Sequence, residues 1–526
     1  MFIPKLAHLG RYRQIAATAA SHGLGPLVAE FGLGWMIPYH WGLLGHPRRE
    51  LAYTRPEHLR TALAELGTTF IKLGQVLSTR SDLLSPPYVV ELATLRDCAP
   101  PAPTEAIIER IEKELGAPVG NLFESFNPEP LASASIGQVH EAVLHSGESV
   151  VVKVQKPGVK EQVEKDLDIL SDLASRGASS SYGATYDLAA LVDEFAWALR
   201  GELDYMREGR NADLFRRNFT DEDCVYVPRI FWEYTTVHVL TMEKIIGTPF
   251  EEAISESNSR LDRKALASNL TRWILKQIFE DGFFHADPHP GNFFLMDGDV
   301  LGVVDFGMVG YIDEESRDNL LKLLQAIMQQ DSLSVMDLMA QLGAVGRAGN
   351  PAALGREIHR VLARYYGLEL GEMRLATMLE DLMGTVRRHR LHIPADLAVL
   401  LKTLIMLEGL VERIDPQLPL AQVLEPYAEE TRTRLKAAGR WAHRVARGAA
   451  EGAALSMELP ATLRRLMGML ERGDLEVSLN HQELAEALSG FNSMLRRLAA
   501  AVLVGSAIIA WANVRQRSAR KEEKGQ

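Results

Sequence analysis

The chain has 526 residues, and 57 Lys and Arg against 69 Asp and Glu give a net charge of −12. This acidic balance argues against a general nucleic-acid-binding protein, which carries a basic surface, and two cysteines exclude a disulfide framework or a cysteine zinc site. A hydrophobic content of 47% is enough for a packed core and rules out wholesale disorder.

The first predicted elements are helices. Residues 1–115 carry helical periodicity, with an amphipathic helix over 12–27 and interruptions at the proline pairs 86–87 and 100–101. From Pro130 the period changes to two, and two β-branched runs joined by residues 145–148 predict a hairpin that ends at Gln155.

Helical periodicity resumes over 161–217, around a loop rich in Gly and Ser. A strand is predicted at 236–242, and a short strand pair within 292–304. From Glu314 to about Ser489 the pattern is helical throughout, with Leu and Ala dominant.

The far end carries an apolar segment. Residues 498–514 contain no charged residue across 17 positions, and basic residues flank the segment on both sides. A spanning helix needs about 20 apolar residues, so this segment is at the short limit. We predict a membrane anchor that holds the chain on the cytoplasmic side of a membrane. The alternative is a terminal helix packed on the protein or on a partner.

The most informative stretch runs from His285 to Asn292 (HADPHPGN) and is followed by Asp305-Phe-Gly307. An Asp followed five residues later by Asn, and then a hydrophobic strand ending in Asp-Phe-Gly, is typical of phosphoryl transfer. Asn292 and Asp305 offer the oxygen ligands that Mg²⁺ prefers, and Asp287 can accept a hydroxyl proton or orient water. The spacing therefore predicts a catalytic Asp287 beside a metal held by Asn292 and Asp305.

Lys153 lies inside an apolar β-run, where an unpaired lysine is costly, and kinases place such a lysine on the α- and β-phosphates of ATP. Three acids on the following helical segment are candidate partners: Glu202, Asp204 and Glu208. Asp204 and Glu208 are four apart and share a helix face, whereas Glu202 points elsewhere. The residues alone leave the choice of partner open.

Two further motifs frame this lysine. A kinase carries its glycine-rich loop before the lysine, and here that position has Ala132, Ser133, Ala134 and Ser135, with Gly137 as the one remaining glycine. Such a loop is stiffer than a glycine loop. On a predicted helix, Lys72 and Gln75 project from one side, and Gly74 allows close packing. From residue type alone we expect Lys72 and Gln75 at the surface.

Together these motifs resemble the UbiB/AarF family of atypical protein-kinase-like ATPases, over about residues 10–420. The segments 11–16 (RYRQIA) and 154–159 (VQKPGV) add to the likeness, and Lys72–Gln75, the KxGQ motif, is its most specific mark. The resemblance implies an α+β, protein-kinase-like fold of two lobes. It has a helical extension over 1–115, a small β-rich N-lobe over 116–245, a helical C-lobe over 246–490 and a hydrophobic helix with a basic tail over 491–526.

The resemblance also implies roles for individual residues. The KxGQ helices of relatives fold over the active site, where a peptide substrate would lie, and Glu202 and Asp204 form an ExD motif that faces Lys72. Glu208 becomes the ion-pair partner of Lys153. The implied nucleotide-binding residues are the loop Ala132 to Ser135, Lys153 and a hinge for adenine at Met242, Glu243 and Lys244.

Three features depart from the family pattern. Ser133 stands where relatives usually carry alanine, and one hydrophobic C-terminal segment stands where relatives often have two. No Ala-Pro-Glu segment follows Gly307, which counts against ordinary protein phosphorylation because protein kinases position their peptide substrate with that segment.

The expected function is an Mg-ATP-binding atypical kinase or ATPase that supports membrane lipid or ubiquinone (isoprenoid quinone) biosynthesis. ATP and Mg²⁺ are the expected cofactors. A membrane lipid or quinone precursor and quinone-biosynthesis proteins are the expected partners, nucleic acid is not expected, and a homodimer is left open. The alternatives are a small-molecule phosphotransferase of the aminoglycoside or choline kinase type and a nucleotide-sensing scaffold of a membrane enzyme complex.

Overall fold

Among the described residues, four helices near the amino terminus form a layer that packs on a later helix. They are α1 (Leu9–Ser21), α2 (Arg55–Leu66), α3 (Thr68–Leu77) and α4 (Pro86–Leu92). A capping box between Thr54 and Glu57 begins α2, since each side chain bonds the backbone amide of the other residue. The buried face of this layer meets Ile169, on a later helix.

The computed structural model describes residues 8–25, 54–80, 83–95, 100–178, 187–255, 261–344, 351–365, 374–389, 391, 393–418 and 423.

A five-stranded antiparallel sheet follows two further helices, α5 (Thr104–Leu115) and α6 (Val119–Leu122). Its strands are β1 (Phe123–Phe126), β2 (Ala132–Ser133), β3 (Gly137–Leu144), β4 (Ser149–Gln155) and β6 (Val239–Glu243), in the order β1-β3-β4-β6 with β2 on β3. The predicted hairpin is confirmed: β3 and β4 pair from Gly137–Gln155 to Val143–Ser149, and Gly147 in the turn has φ +91°. Three alternating valines of β4 are fully buried, so Lys153 projects from the opposite face.

Three helices connect β4 to β6: α7 (Val159–Gly177), α8 (Leu188–Glu202) and α9 (Tyr205–Asn218). The sequence predicted one helical stretch with a single Gly/Ser-rich interruption. The structure adds a second break at Leu203 and Asp204, because the Asp204 carboxylate caps α9 by accepting bonds from the amides of Met206 and Arg207. This break separates Glu202 from Glu208.

The remaining elements form a mainly helical part with two small sheets, ordered β5-β10-β9-β7 and β8-β11. Its strands are β5 (Val225–Tyr226), β7 (Thr248–Pro249), β8 (Phe283–His285), β9 (Phe293–Met296), β10 (Val300–Val303) and β11 (Val309–Tyr311). Its helices are α10 (Phe250–Ser255), α11 (Arg263–Lys276) with a π-turn at Gln277–Asp281, α12 (Glu314–Met328), α13 (Ser332–Gln341), α14 (Pro351–Arg364), α15 (Leu375–Arg388) and α16 (Ala395–Ile414). Every element described after β11 is a helix, as predicted.

The prediction of a membrane location is wrong on the present finding. Among the described residues, no helix combines the length and apolar character that crossing a bilayer requires. The apolar segment 498–514, on which the prediction rested, lies outside the described residues.

Candidate active site

The centre of the site is a lysine held between two carboxylates. Lys153 Nζ donates to both carboxylate oxygens of Glu208, at 2.7 and 2.9 Å, and lies 3.7 Å from Asp305 Oδ1. Burial disfavours the ammonium form, but Asp305 and Glu208 outweigh it and hold the pKa of Lys153 well above its usual value. Lys153 in turn lowers the pKa of Asp305 to about 2. The lysine is therefore charged and the Asp305 carboxylate ionised at neutral pH.

Helix α9 contacts both this pair and the segment Asp305-Phe-Gly307. Glu208 lies in its first turn, and Asn211, one turn later, donates from Nδ2 to the carbonyl of Phe306 at 2.9 Å. Asp305 has φ +62°, which is unusual for a residue other than glycine, and Gly307 N donates to its Oδ1 at 3.1 Å. The backbone of the loop is thus fixed from both sides of Phe306.

Buried His285 joins the segment Asp305-Phe-Gly307 to the stretch from His285 to Asn292. Its Nδ1 accepts from the amide of Asp287 at 3.3 Å, so Nε2 carries the hydrogen and donates to the carbonyl of Asp305 at 2.8 Å. Burial lowers the pKa of His285, which favours this neutral form. The imidazole therefore sets the position of Asp287 relative to Asp305.

Asp287 itself is half-buried and makes contacts within and outside its loop. Asn292 Nδ2 donates to the Asp287 carbonyl at 3.1 Å, and Lys402 Nζ of α16 donates to Asp287 Oδ1 at 3.1 Å. No residue type or spacing around Asp287 points to Lys402, which lies 115 positions away along the chain.

The side-chain oxygens of Asn292 and Asp305 fit a divalent cation that takes most of its ligands from substrate phosphates and water. Asn292 uses its Nδ2 within the loop, and neither Asn292 Oδ1 nor Asp305 Oδ2 accepts a hydrogen bond from the described residues. No three His, Cys, Asp or Glu side chains of those residues form a metal site of their own. Two oxygens plus substrate phosphates and water is the way Mg²⁺ is usually bound at nucleotide sites.

The KxGQ segment lies on α3, beside this cluster. Lys72 Nζ is 2.7 Å from Glu202 Oε2, both side chains are mostly buried, and Lys72 also contributes to the lowered pKa of Asp305. Asp204, in contrast, caps α9 and lies 3.9 Å from Arg210. The two acids of the ExD motif therefore have different contacts.

The surface position expected for Lys72 and Gln75 from residue type alone is wrong, because both are partly buried. The Lys72 side chain is only 13% exposed, and Gln75 Nε2 donates to the carbonyl of Leu95 at 3.2 Å. The close packing expected at Gly74 is confirmed, since an added Cβ would lie 2.3 Å from Leu95 and 3.0 Å from Leu63.

The alanine-rich loop is tied down at both ends. Lys156 Nζ donates to the carbonyls of Ala134, at 2.6 Å, and Pro100, at 2.9 Å, while Thr68 Oγ1 donates to the carbonyl of Ser135 at 3.2 Å. Ala132 and Ser133 form β2. These contacts restrain the loop further than its residue types alone require.

The predicted hinge is only partly available to a ligand. Met242 is buried, and the Glu243 amide donates to the Arg229 carbonyl at 2.9 Å. The Lys244 amide likewise donates to the carbonyl of Ser149 at 3.0 Å. The amides of Glu243 and Lys244 are therefore both occupied by protein partners.

Comparisons with known proteins place the chain in a family. A model of the ABC1 atypical kinase-like domain matches residues 94–339, and a model of the UbiB helical domain matches 358–419. A protein of Pseudomonas aeruginosa named "Probable protein kinase UbiB" is 38% identical over 404 residues, or 76% of this chain and 75% of that protein. The chain belongs to the ABC1/UbiB family. The UbiB helical domain contains Lys402, so the contact with Asp287 joins the two matched regions.

Other relatives extend this likeness. The uncharacterized protein sll1770 of Synechocystis is 34% identical over 469 residues, or 88% of this chain and 80% of that protein. The solved structure of Rv3197 with erythromycin, from Mycobacterium tuberculosis, has a TM-score of 0.51 and 26% identity, covering 69% of this chain and 93% of that chain. The predicted kinase-like fold of helices and small sheets is confirmed.

Proposed function

We propose that this ABC1/UbiB protein binds ATP with Mg²⁺ and transfers the γ-phosphoryl group to water or to an acceptor not yet identified. The observation that carries the proposal is the position of Lys153, charged and held between Glu208 and Asp305. A partly buried lysine fixed by a helix glutamate beside an Asp-Phe-Gly aspartate is the arrangement by which kinases hold ATP phosphates.

Each group in the cluster has a part in that reaction. Lys153 would bind phosphate oxygens, and Asn292 Oδ1 with Asp305 Oδ2 would hold Mg²⁺, which neutralises the charge that develops on the transferred group. Asp287 would accept the proton from the attacking water or hydroxyl. The oxygen of that water or hydroxyl bonds to the γ-phosphorus as the bond between the γ-phosphorus and ADP breaks. The carboxylate is free to do so at Oδ2, which takes no hydrogen bond from the described residues.

Adenine would bind slightly later in the chain than the sequence predicts. The amides of Glu243 and Lys244 are occupied, whereas those of Ile245 and Ile246 have no backbone partner among the described residues. Adenine presents a donor and an acceptor on one edge, which an unoccupied amide and a neighbouring carbonyl can match. Residues 245–246 therefore supply its backbone contacts in this proposal.

The biological setting of this activity is proposed from relatives named UbiB. We place the chain in support of isoprenoid quinone biosynthesis, with a quinone precursor as the molecule whose handling is coupled to ATP. A phenol that resembles the head group of such a precursor is the probe that the proposal calls for.

The test is phosphate release from Mg-ATP by the full chain, with and without a quinone-precursor phenol, for wild type, Asp287→Asn and Arg413→Met. Arg413 is a matched control because its partner, Glu251, is exposed and lies outside the site. Loss of a general base lowers turnover by roughly 10²- to 10⁴-fold, so we expect Asp287→Asn to lose turnover while the control keeps it.

Nucleotide binding is measured in parallel, as the rise in melting temperature that Mg-ATP causes. Tight binding without turnover by wild type would contradict the proposal and favour a nucleotide-sensing scaffold. Phosphate on a small alcohol would favour the small-molecule phosphotransferase. Absence of ATP binding by wild type would refute all three.

A further inference from the structure

A single helix of the C-terminal domain contacts the catalytic loop through two adjacent side chains. Lys402 Nζ donates to Asp287 Oδ1 at 3.1 Å. Thr403 Oγ1 lies 3.3 Å from the carbonyl of Ala286 and 3.0 Å from the carbonyl of Val399 on its own helix. Both residues belong to α16, and Thr403 is fully buried. Two neighbouring positions of α16 therefore lie against two neighbouring positions of the loop, and Lys402 supplies the hydrogen bond between them.

The catalytic loop has no cation of its own beside Asp287. The stretch His285 to Asn292 contains neither Lys nor Arg, and Lys153 is engaged by Glu208 and Asp305. The side chains of Lys402 and Asp287 are only 21% and 35% exposed. Partial burial reduces the solvent screening of the attraction between these two charges.

The pair is also selective between the two carboxylate oxygens. Lys402 occupies Oδ1, and Oδ2 accepts no hydrogen bond from the described residues. One oxygen is thus anchored while the other is left to face a reacting hydroxyl or water. Anchoring of this kind fixes the rotation of the carboxylate, which is the orientation that a proton acceptor needs.

We infer that Lys402 is a positioning residue for catalysis: its ammonium fixes and charge-balances Asp287 from the helical domain, and buried Thr403 packs against the loop backbone beside it. The inference rests on the proposed function, because it assigns Lys402 to the same reaction. It also makes the helical domain a part of the active site.

The test compares turnover of Lys402→Met, Lys402→Arg and Arg413→Met in the full chain, with Mg-ATP as substrate. Lys402→Met removes a charge-assisted hydrogen bond, so we expect kcat to fall by roughly 10- to 100-fold. KM for ATP should change by less than about twofold, since Lys402 contacts no group assigned to nucleotide binding. Lys402→Arg keeps the charge and should recover most of kcat.

Two controls separate positioning from loss of folding. Arg413→Met removes a basic side chain from the same helix and should keep kcat. If Lys402→Met lowers the melting temperature too far for assay, Lys402→Gln, which retains a donor without the charge, replaces it. The melting temperatures of wild type, Lys402→Met, Asp287→Asn and the double variant form a double-mutant cycle. The decrease in melting temperature of the double variant should be smaller than the sum of the two single decreases.

The outcomes distinguish this inference from the proposed function. Turnover by wild type with an unchanged kcat in Lys402→Met overturns the role of Lys402 alone. A large loss that Lys402→Arg does not reduce also overturns it, because then the charge is not what matters. Absence of turnover in wild type overturns the proposed function and, with it, this inference.

Discussion

The strongest test of how the amino-terminal helices are held concerns Arg11 of α1. Its Nε and Nη2 donate to the two carboxylate oxygens of Asp166 at 2.7 and 2.8 Å, and Nη2 also donates to the carbonyl of Leu66 at 2.7 Å. The side chains are 9% and 1% exposed. Arg11→Met leaves Asp166 buried with Gln162 as its one side-chain donor among the described residues. Breaking a buried pair in this way costs about 3–5 kcal/mol.

That cost should appear mainly where the helices meet α7. The assay is hydrogen exchange of the α1 and α2 amides, because a local loss of 3–5 kcal/mol accelerates exchange by roughly 10²- to 10⁴-fold. Arg13→Met is the matched control, since Arg13 lies on the same helix and is exposed. Arg11→Met combined with Asp166→Leu removes both charges and should restore much of the protection. Equal protection in wild type and Arg11→Met would refute the reasoning.

Three further predictions concern the site. Gly137→Ala should lower the unfolding free energy by about 1–3 kcal/mol, because the added Cβ would lie 2.2 Å from Tyr205 Oη and 2.8 Å from the Val154 carbonyl. Tyr205→Phe should relieve part of this clash, and equal urea midpoints for wild type and Gly137→Ala would contradict the prediction. Burial lowers the pKa of His285, so its contribution to stability is present above about pH 6.5 and is lost as pH falls. His285→Asn should therefore reduce the pH dependence of the unfolding free energy between pH 7 and 5 by up to about 1.4 kcal/mol per pH unit. An unchanged slope would count against a neutral His285. In Asp305→Asn, the Mg²⁺-dependent part of the ATP-induced rise in melting temperature should disappear, and its persistence would remove Asp305 from the metal ligands.

Local patterns predicted those parts of the site that are encoded by neighbouring residues. The alternating valines of β4 determine the face on which Lys153 lies, and the helical and strand segments around Asp287 follow from periodicity. The break before α9 was missed because Asp204 can equally well be a residue within a helix or a cap, and the choice depends on packing.

The contacts that depend on tertiary packing could not be predicted in the same way. Most lysines on helices are exposed, so residue type alone predicts Lys72 at the surface and does not distinguish Lys402 from other lysines. The burial of either side chain depends on the folded chain. The hinge amides are occupied by the carbonyls of Arg229 and Ser149, and no short motif marks either contact. The membrane location was inferred from the apolar segment 498–514 and its basic flanks, and no described helix supports it.

The contact between Lys402 and Asp287 has a consequence for synthesis of the protein. The two residues are separated by 115 positions, and ribosomes add about 5–20 residues per second. Asp287 is therefore made on the order of ten seconds before the helix that supplies its cation. During that interval the emerging loop around Asp287 lacks this contact, which can form only after α16 has left the ribosome and docked.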